Sequence, residues 1–234
     1  MYEFGHAFTT AFHLIGTFDP DLIAIVGLSL RVSLSAVALA SLIGLPLGAA
    51  VAAFAFPGRR VVAMVLNAMM GLPPVVVGLV IYLMLSRSGP LGVFGLLFTP
   101  EAMIIAQATL ITPIIAALAR QTVEDLLVEY GELLRVVGAG PFRTVFTLLS
   151  EGRTSLVTTV LAGFGRASAE VGAVLIVGGN IDQVTRVMTT AIALETSKGD
   201  LPLALGLGVI LIALSLAVNV GVAVVRDRAR ARIA

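Results

Sequence analysis

The chain has 234 residues, of which 58% are hydrophobic and only 12% charged, with a formal net charge of +1. A water-soluble domain carries roughly 25% charged residues, so this chain lacks the polar surface to coat a globule in water, and its mean hydropathy is +1.05. The near-zero net charge offers no footing for nucleic acid, and the absence of cysteine excludes disulfides, thiolate catalysis and cysteine metal sites. Lipid is the remaining solvent. There every backbone N–H and C=O must find a partner within the protein, which leaves helices or a closed barrel. Long unbroken apolar runs, unlike the alternating strands of a barrel, select an all-α membrane protein.

Residues 1–21 read as an amphipathic interfacial segment. Phe4, Phe8 and Phe12 recur at every fourth position, and His6, Thr9, Thr10 and His13 fall on the other side. That pattern suits a helix lying along the membrane surface. The two histidines stand about 10 Å apart along such a helix, so they are assigned to its polar face and no metal site is expected. The first Lys or Arg is Arg31. A cleavable signal peptide needs a positively charged start, so the first hydrophobic span is expected to be retained.

A spanning helix needs about 20 apolar residues. Five segments qualify: 22–56, 61–86, 102–118, 155–177 and 201–225. The first is too long for one hydrocarbon core at about 1.5 Å per residue; it is expected to begin outside the membrane and to bend at Pro46. Pro73 and Pro74 interrupt the second. They remove two backbone donors and clash with the preceding turn, which fits either a gate element or a static kink. The fourth span carries Arg166 and Glu170 at helical i, i+4 spacing, with Arg166 about 16 Å deep. Charges at that depth usually face a bundle interior or an aqueous path. Two readings stand: an ion pair locking helices together, or positive potential along an anion pathway that Glu170 partly neutralises. Gly165, Ala169 and Ala173, with Ser168 and Gly172 beside them, form a small-residue stripe suited to close helix approach.

Lys and Arg in short loops set orientation. Arg59, Arg60, Arg120, Arg135, Arg143, Arg153, Arg226, Arg228, Arg230 and Arg232 fall on one side, and only Arg87, Arg186 and Lys198 on the other. The richer side is expected to be cytoplasmic, which puts the N-terminus outside and the C-terminus inside after five crossings. No internal repeat or linker is visible, so residues 1–234 are expected to form a single transmembrane domain.

The connection 119–154 is too charged to insert and too amphipathic to be a plain linker. Val123 to Tyr130 has helical character. Glu132-Leu133-Leu134-Arg135 leads into Gly138-Ala139-Gly140-Pro141 and then Phe142-Arg143-Thr144-Val145-Phe146. The glycines allow a sharp break, and Pro141 suits the first position of a new helix. A short helix, a tight turn and a second helix are expected, with Phe142 and Phe146 as an apolar knob flanked by Arg143. The arrangement fits a docking element for a cytoplasmic partner, or an amphipathic loop packing under its own helices.

Glu132-Leu133-Leu134, with Gly138 following and then Pro141-Phe142-Arg143-Thr144, resembles the EAA loop of ABC importer permeases, although the alanine pair is Leu133-Leu134 and a proline common near the loop's end is replaced by Leu149. Leu72-Pro73-Pro74-Val75-Val76-Val77-Gly78 and Ser88-Gly89-Pro90-Leu91-Gly92 are similar to stretches of molybdate- and tungstate-type permeases. The run from Gly163 to Gly172, then Val177-Gly178-Gly179-Asn180-Ile181, then Thr189 to Gly199, resembles the tungstate branch. The resemblance covers about residues 22 to 225 and implies a type I importer permease fold with a cytoplasmic coupling helix. Glu132, Leu133, Leu134, Gly138, Ala139, Gly140, Pro141, Phe142 and Arg143 would couple to an ATPase. Arg166, Glu170, Pro73 and Pro74 are the candidate pathway residues. It also implies a homodimer of this chain, two cytoplasmic ATPase subunits that use ATP and magnesium, and an extracytoplasmic oxyanion-binding protein, in a prokaryotic inner membrane. The chain would bind no cofactor and have no catalytic residues of its own; indeed it has no Gly-rich nucleotide loop ending in Lys-Ser or Lys-Thr. Tungstate is the expected cargo, with molybdate and sulfate as alternatives.

Two other classes fit less well. An intramembrane hydrolase needs a base beside its nucleophile, and the only histidines are His6 and His13. A secondary transporter or channel often shows inverted repeats, which are absent here, and would leave the 119–154 connection without a purpose.

Overall fold

The computed structural model describes residues 2–230, and within them the side chains of 8–221, 223 and 224. The expected faces of Phe4 and His6, and the tail charges Arg226, Arg228, Arg230 and Arg232, lie outside the described residues and side chains.

Ten α-helices follow one another with no strand among the described residues. They are α1 Tyr2–Gly16, α2 Pro20–Ala53, α3 Arg59–Met69, α4 Pro74–Leu85, α5 Pro100–Val136, α6 Pro141–Glu151, α7 Arg153–Ser168, α8 Gly172–Gly178, α9 Met188–Lys198 and α10 Leu201–Arg230; a 3-10 turn, Gly92–Phe94, precedes α5. Three are long and apolar enough to cross a membrane: α2, α5 and the Leu201–Gly221 part of α10. Counting the broken pairs α3–α4 and α7–α8 as one span each gives five.

Local chemistry explains the boundaries. Asp19 Oδ1 accepts the N–H groups of Asp21 and Leu22, both at 3.1 Å. It caps α2, whose first residue is Pro20, the position where a missing N–H costs nothing. Pro46, where a bend is expected, lies inside an unbroken helix. At 73–74 the interruption is a full break and not a kink within one helix. Pro73 is extended (φ −65°, ψ 120°) and caps α4, and Pro74 opens it.

Two expectations need correction. The short helix expected from Val123 is not a separate one: α5 runs 37 residues to Val136 without a break, about 55 Å, so the helix that contains 102–118 continues through it. The fourth span is not one helix, because α7 ends at Ser168 and α8 begins at Gly172. Glu170 sits in the break, and the stripe Gly165, Ala169, Ala173 is divided by it.

The chain forms two compact units from interleaved segments: residues 1–36, 73–107 and 166–217, and residues 37–72, 108–165 and 218–234. In the first, Leu22, Ile25, Met188, Ala191 and Leu207 form a buried cluster joined by Leu14 and Ile15 of α1. Ala11 is also buried, whereas Phe12 is exposed, so Phe12 lies off the side of α1 that packs on protein. The helices α4 and α8 meet almost backbone to backbone: a Cβ on Gly78 would stand 2.7 Å from Ala173 Cα, and one on Gly172 2.8 Å from Val75 Cγ2. Phe98 N–H donates to Val177 O at 3.0 Å, and its ring meets Tyr82 edge-on at 6.1 Å.

In the second unit, Ala49, Ala52, Val123, Val145 and Leu148 join α2, α5 and α6, while Val51, Leu66, Ala116 and Ala117 add α3. The α2–α5 crossing depends on Gly48, where a Cβ would run into the carbonyl oxygen of Ala116 and lie 2.9 Å from Arg120 N. By contrast Gly27, also in α2, has open space around its Cβ position. We expect Gly48→Ala to destabilise the protein by about 1–3 kcal/mol through overpacking. Gly27→Ala should be neutral or stabilising by up to about 1 kcal/mol. Thermal unfolding of the two variants in detergent measures the contrast.

Candidate functional site

The first candidate region is the turn between α5 and α6, in the second unit. α5 closes on Gly138, whose φ of +74° is the left-handed conformation that glycine adopts without steric cost. Gly138 N–H donates to Arg135 O at 3.0 Å and Ala139 N–H to Leu134 O at 2.9 Å. This is a Schellman closure that satisfies the last carbonyls of the helix. Gly140 is extended and Pro141 opens α6. The turn and second helix expected from Gly138-Ala139-Gly140-Pro141 are therefore present.

α6 is two-faced. Val145 and Leu148 are buried in the cluster with α2 and α5, whereas Phe142 and Phe146 are each 74% exposed. Arg143 and Glu132 are exposed, as is Leu133, but Leu134 packs into the cluster. The Phe142 ring stands edge-on to Phe54, the residue after α2, at 5.4 Å, which anchors the start of α6 despite its exposure. Near the middle of α5, Glu124 accepts from Arg120 at 2.6 Å and from Arg59 of α3 at 3.1 Å. The Arg120–Glu124 pair was available from its i, i+4 spacing. Arg59 was not, because only the fold brings residue 59 to residue 124.

The second region is the α7–α8 break, in the first unit. Arg166 Nη1 donates to Glu170 Oε2 at 2.6 Å; the Arg166 side chain is 38% exposed and that of Glu170 4%. The other carboxylate oxygen, Oε1, accepts Ala173 N–H at 3.1 Å, so Glu170 caps the first turn of α8 as well as pairing. Its own carbonyl accepts the Thr189 hydroxyl at 2.8 Å. Gln107 Nε2 of α5 donates to Ala167 O at 3.1 Å. Ser29 Oγ of α2 donates to Ile25 O at 2.6 Å and accepts Met188 N–H at 2.7 Å. Ser29, Ser33, Gln107, Ser168, Glu170 and Thr189 line one small pocket with room for about one water molecule. Buried polar groups in an apolar chain are expensive unless bonded, so their convergence here is a feature to explain.

Sequence analysis singles out Arg166 and Glu170 and misses Gln107, Ser29 and Thr189, isolated polar residues whose relation exists only after folding. Pro73 and Pro74 do come near this region. The first turn of α4 that they open abuts Gly172 through Val75, so both broken spans meet at their breaks. Among the described residues no group of His, Cys, Asp and Glu could hold a metal.

Comparison with known proteins adds the family. Residues 44–231 match the family described as "Binding-protein-dependent transport system inner membrane component". The chain is 41% identical over 204 residues to the tungstate uptake system permease protein TupB of Peptoclostridium acidaminophilum, covering 87% of this chain and 90% of the relative. It is 44% identical over 185 residues to the "Probable anion ABC transporter permease protein" of Haloferax volcanii, covering 77% and 80%. The molybdenum transport system permease protein ModB of Escherichia coli is more distant, at 31% over 186 residues, 74% and 79%.

The electrostatics of the break make a direct prediction. Arg166→Gln strands a buried carboxylate, which in fully buried pairs costs about 3–5 kcal/mol and less here because the Arg166 side chain is only partly buried. Arg166→Gln/Glu170→Gln removes both charges and should recover most of that loss. Thermal unfolding of the single and double variants in detergent checks the order.

Proposed function

The chain belongs to the family of binding-protein-dependent transport system inner membrane components, and from that premise we propose that it is the membrane-spanning subunit of an ATP-driven importer of tungstate. Membership makes it an inner-membrane protein that is not itself an enzyme, and the family implies an ATPase and a substrate-binding protein as partners. The observation that carries the choice of cargo is the 41% identity to a tungstate uptake permease across 87% of this chain. The molybdenum permease stands further away, which ranks molybdate and sulfate behind tungstate.

In this reading two copies of the chain, each acting as one transmembrane domain, pair with two cytoplasmic ATPase subunits. The N-terminus lies outside and the C-terminus in the cytoplasm. The surface offered to the ATPase is the Glu132–Arg143 segment with its exposed Leu133 and Phe142, together with Phe146 one turn on. A helix end fixed by a glycine closure, followed at once by a second helix rooted through Val145 and Leu148, can carry a push into α2 and α5 without bending. Membrane-embedded parts receive that push as a switch of access, and the outside partner releases its oxyanion into the opened path. ATP and magnesium are used by the partner, with no cofactor on this chain. Pro73, Pro74, Arg166 and Glu170 are assigned to the pathway, on the ground that irregular backbone at membrane depth is tolerated where it is buried or lines a cavity.

The test is tungstate uptake into proteoliposomes that hold this chain, its ATPase and its binding protein. ATP-dependent accumulation that excess tungstate suppresses more strongly than equal molybdate or sulfate supports the assignment. Stronger suppression by molybdate or sulfate changes the cargo, and uptake by the chain alone without ATP overturns the mechanism. Phe146→Asp, at a position whose ring contributes nothing to the buried cluster, should leave the folded chain intact and abolish co-purification of the ATPase.

A further inference from the structure

No helix-breaking residue accounts for the α7–α8 break. Ala169, Glu170 and Val171 include neither proline nor glycine, and Glu and Ala are good helix formers. A break within an apolar span frees backbone groups that lipid cannot satisfy, so their partners identify what holds it open. Ala167 O, which in a continuous helix would accept from Val171 N–H, accepts instead from Gln107 Nε2 at 3.1 Å and from Glu170 N–H at 3.1 Å. Ala173 N–H, which would reach Ala169 O, is taken by Glu170 Oε1 at 3.1 Å. Glu170 O is taken by the Thr189 hydroxyl at 2.8 Å. Three side chains, from α5, from α9 and from the break itself, do what the helix ladder would otherwise do.

The external clamps are themselves fixed. α9 is tied to α2 by Met188 N–H donating to Ser29 Oγ at 2.7 Å, which sets Thr189, its neighbour, in place. Gln107 is 3% exposed, yet its Oε1 has no partner, and neither does the buried Ser168 Oγ. Both residues line the small pocket beside the break. Ala167 O and Glu170 O are held by side chains here, whereas in a continuous helix each would accept from the N–H four residues on, so the segment has two alternative sets of partners within reach.

We infer that the α7–α8 break is a two-state hinge of the transport cycle and that Gln107 and Thr189 are its positioning residues, holding the broken state by replacing ladder hydrogen bonds at Ala167 and Glu170. Straightening the segment moves α8 with respect to the last turn of α7. Because Ala173 packs directly on Gly78, α4 has to follow. The inference rests on the transport reading above but assigns a role to residues outside the ion pair: they act through the backbone of the break and touch no cargo by this argument.

The experiment uses the complete complex of chain, ATPase and binding protein in proteoliposomes, with tungstate taken up per ATP hydrolysed as the readout. Thr189→Val removes the hydroxyl at nearly constant volume. It should lower that ratio by about fivefold, the shift expected when one hydrogen bond leaves a two-state equilibrium, and Thr189→Ser should restore it. Gln107→Met, which keeps length and loses the amide, should lower the ratio in the same direction and serves if Thr189→Val does not assemble. A ratio equal to the unsubstituted complex in these variants overturns the inference, whether or not both rates fall together, since a loss of folded protein lowers them in proportion. Absence of tungstate uptake by the unsubstituted complex defeats the transport reading instead, so the two failures are distinguishable.

Discussion

Everything in this molecule follows from the requirement that backbone polar groups be satisfied inside the protein when the surroundings cannot help. With 12% charged residues, the chain has few polar side chains to spend on interior bonds. Several of them serve where helices end or break: Asp19 at the start of α2, and Gln107, Glu170 and Thr189 around the α7–α8 break. Where helices continue, contacts are made by small residues and aliphatic packing, as at Gly48 and Gly78. Membrane helices gain little from burying apolar surface against one another, because lipid is as apolar as the interior. Close approach and interior hydrogen bonds then carry a larger share of the specificity.

The broken spans connect this constraint to transport. A continuous helix resists bending because each turn is tied to the next, whereas a break closed by side chains has alternative partners within reach. The two broken pairs, α3–α4 and α7–α8, meet through Val75 with Gly172 and Gly78 with Ala173. Motion at one is therefore communicated to the other by direct contact within the first unit. The second unit has the opposite character: its part of α5, from Ala108, continues to Val136 without a break, and the α5–α6 turn is closed by backbone bonds and rooted in a buried cluster.

How much of this was legible in the sequence depended on whether the cause was local. Composition and apolar runs identify an all-helical membrane chain, and Gly138 with Pro141 marks the turn because both act through their own backbone. Pro73-Pro74 announces an interruption for the same reason, though only the fold shows that it is a complete break. The short helix from Val123 was read as separate because hydropathy reports where apolar residues stop, not where a helix stops; α5 continues to Val136 on good helix formers. The α7–α8 break was not read from Ala169, Glu170 and Val171, since only the Glu170 cap on Ala173 is local and the other partners lie 60 residues away at Gln107 and 19 away at Thr189. Arg166 and Glu170 were conspicuous as charges. Gln107, Ser29 and Thr189, polar but uncharged, were not.

The central claim is that the exposed face of α6 is where a cytoplasmic motor engages this chain. The sequence contains no cysteine, so a single Phe146→Cys substitution provides a unique probe in intact membranes. The account predicts that a membrane-impermeant thiol reagent labels it only from the cytoplasmic face and that the bound ATPase subunit shields it. Labelling from the outer face, or labelling that the ATPase leaves unchanged, would contradict it.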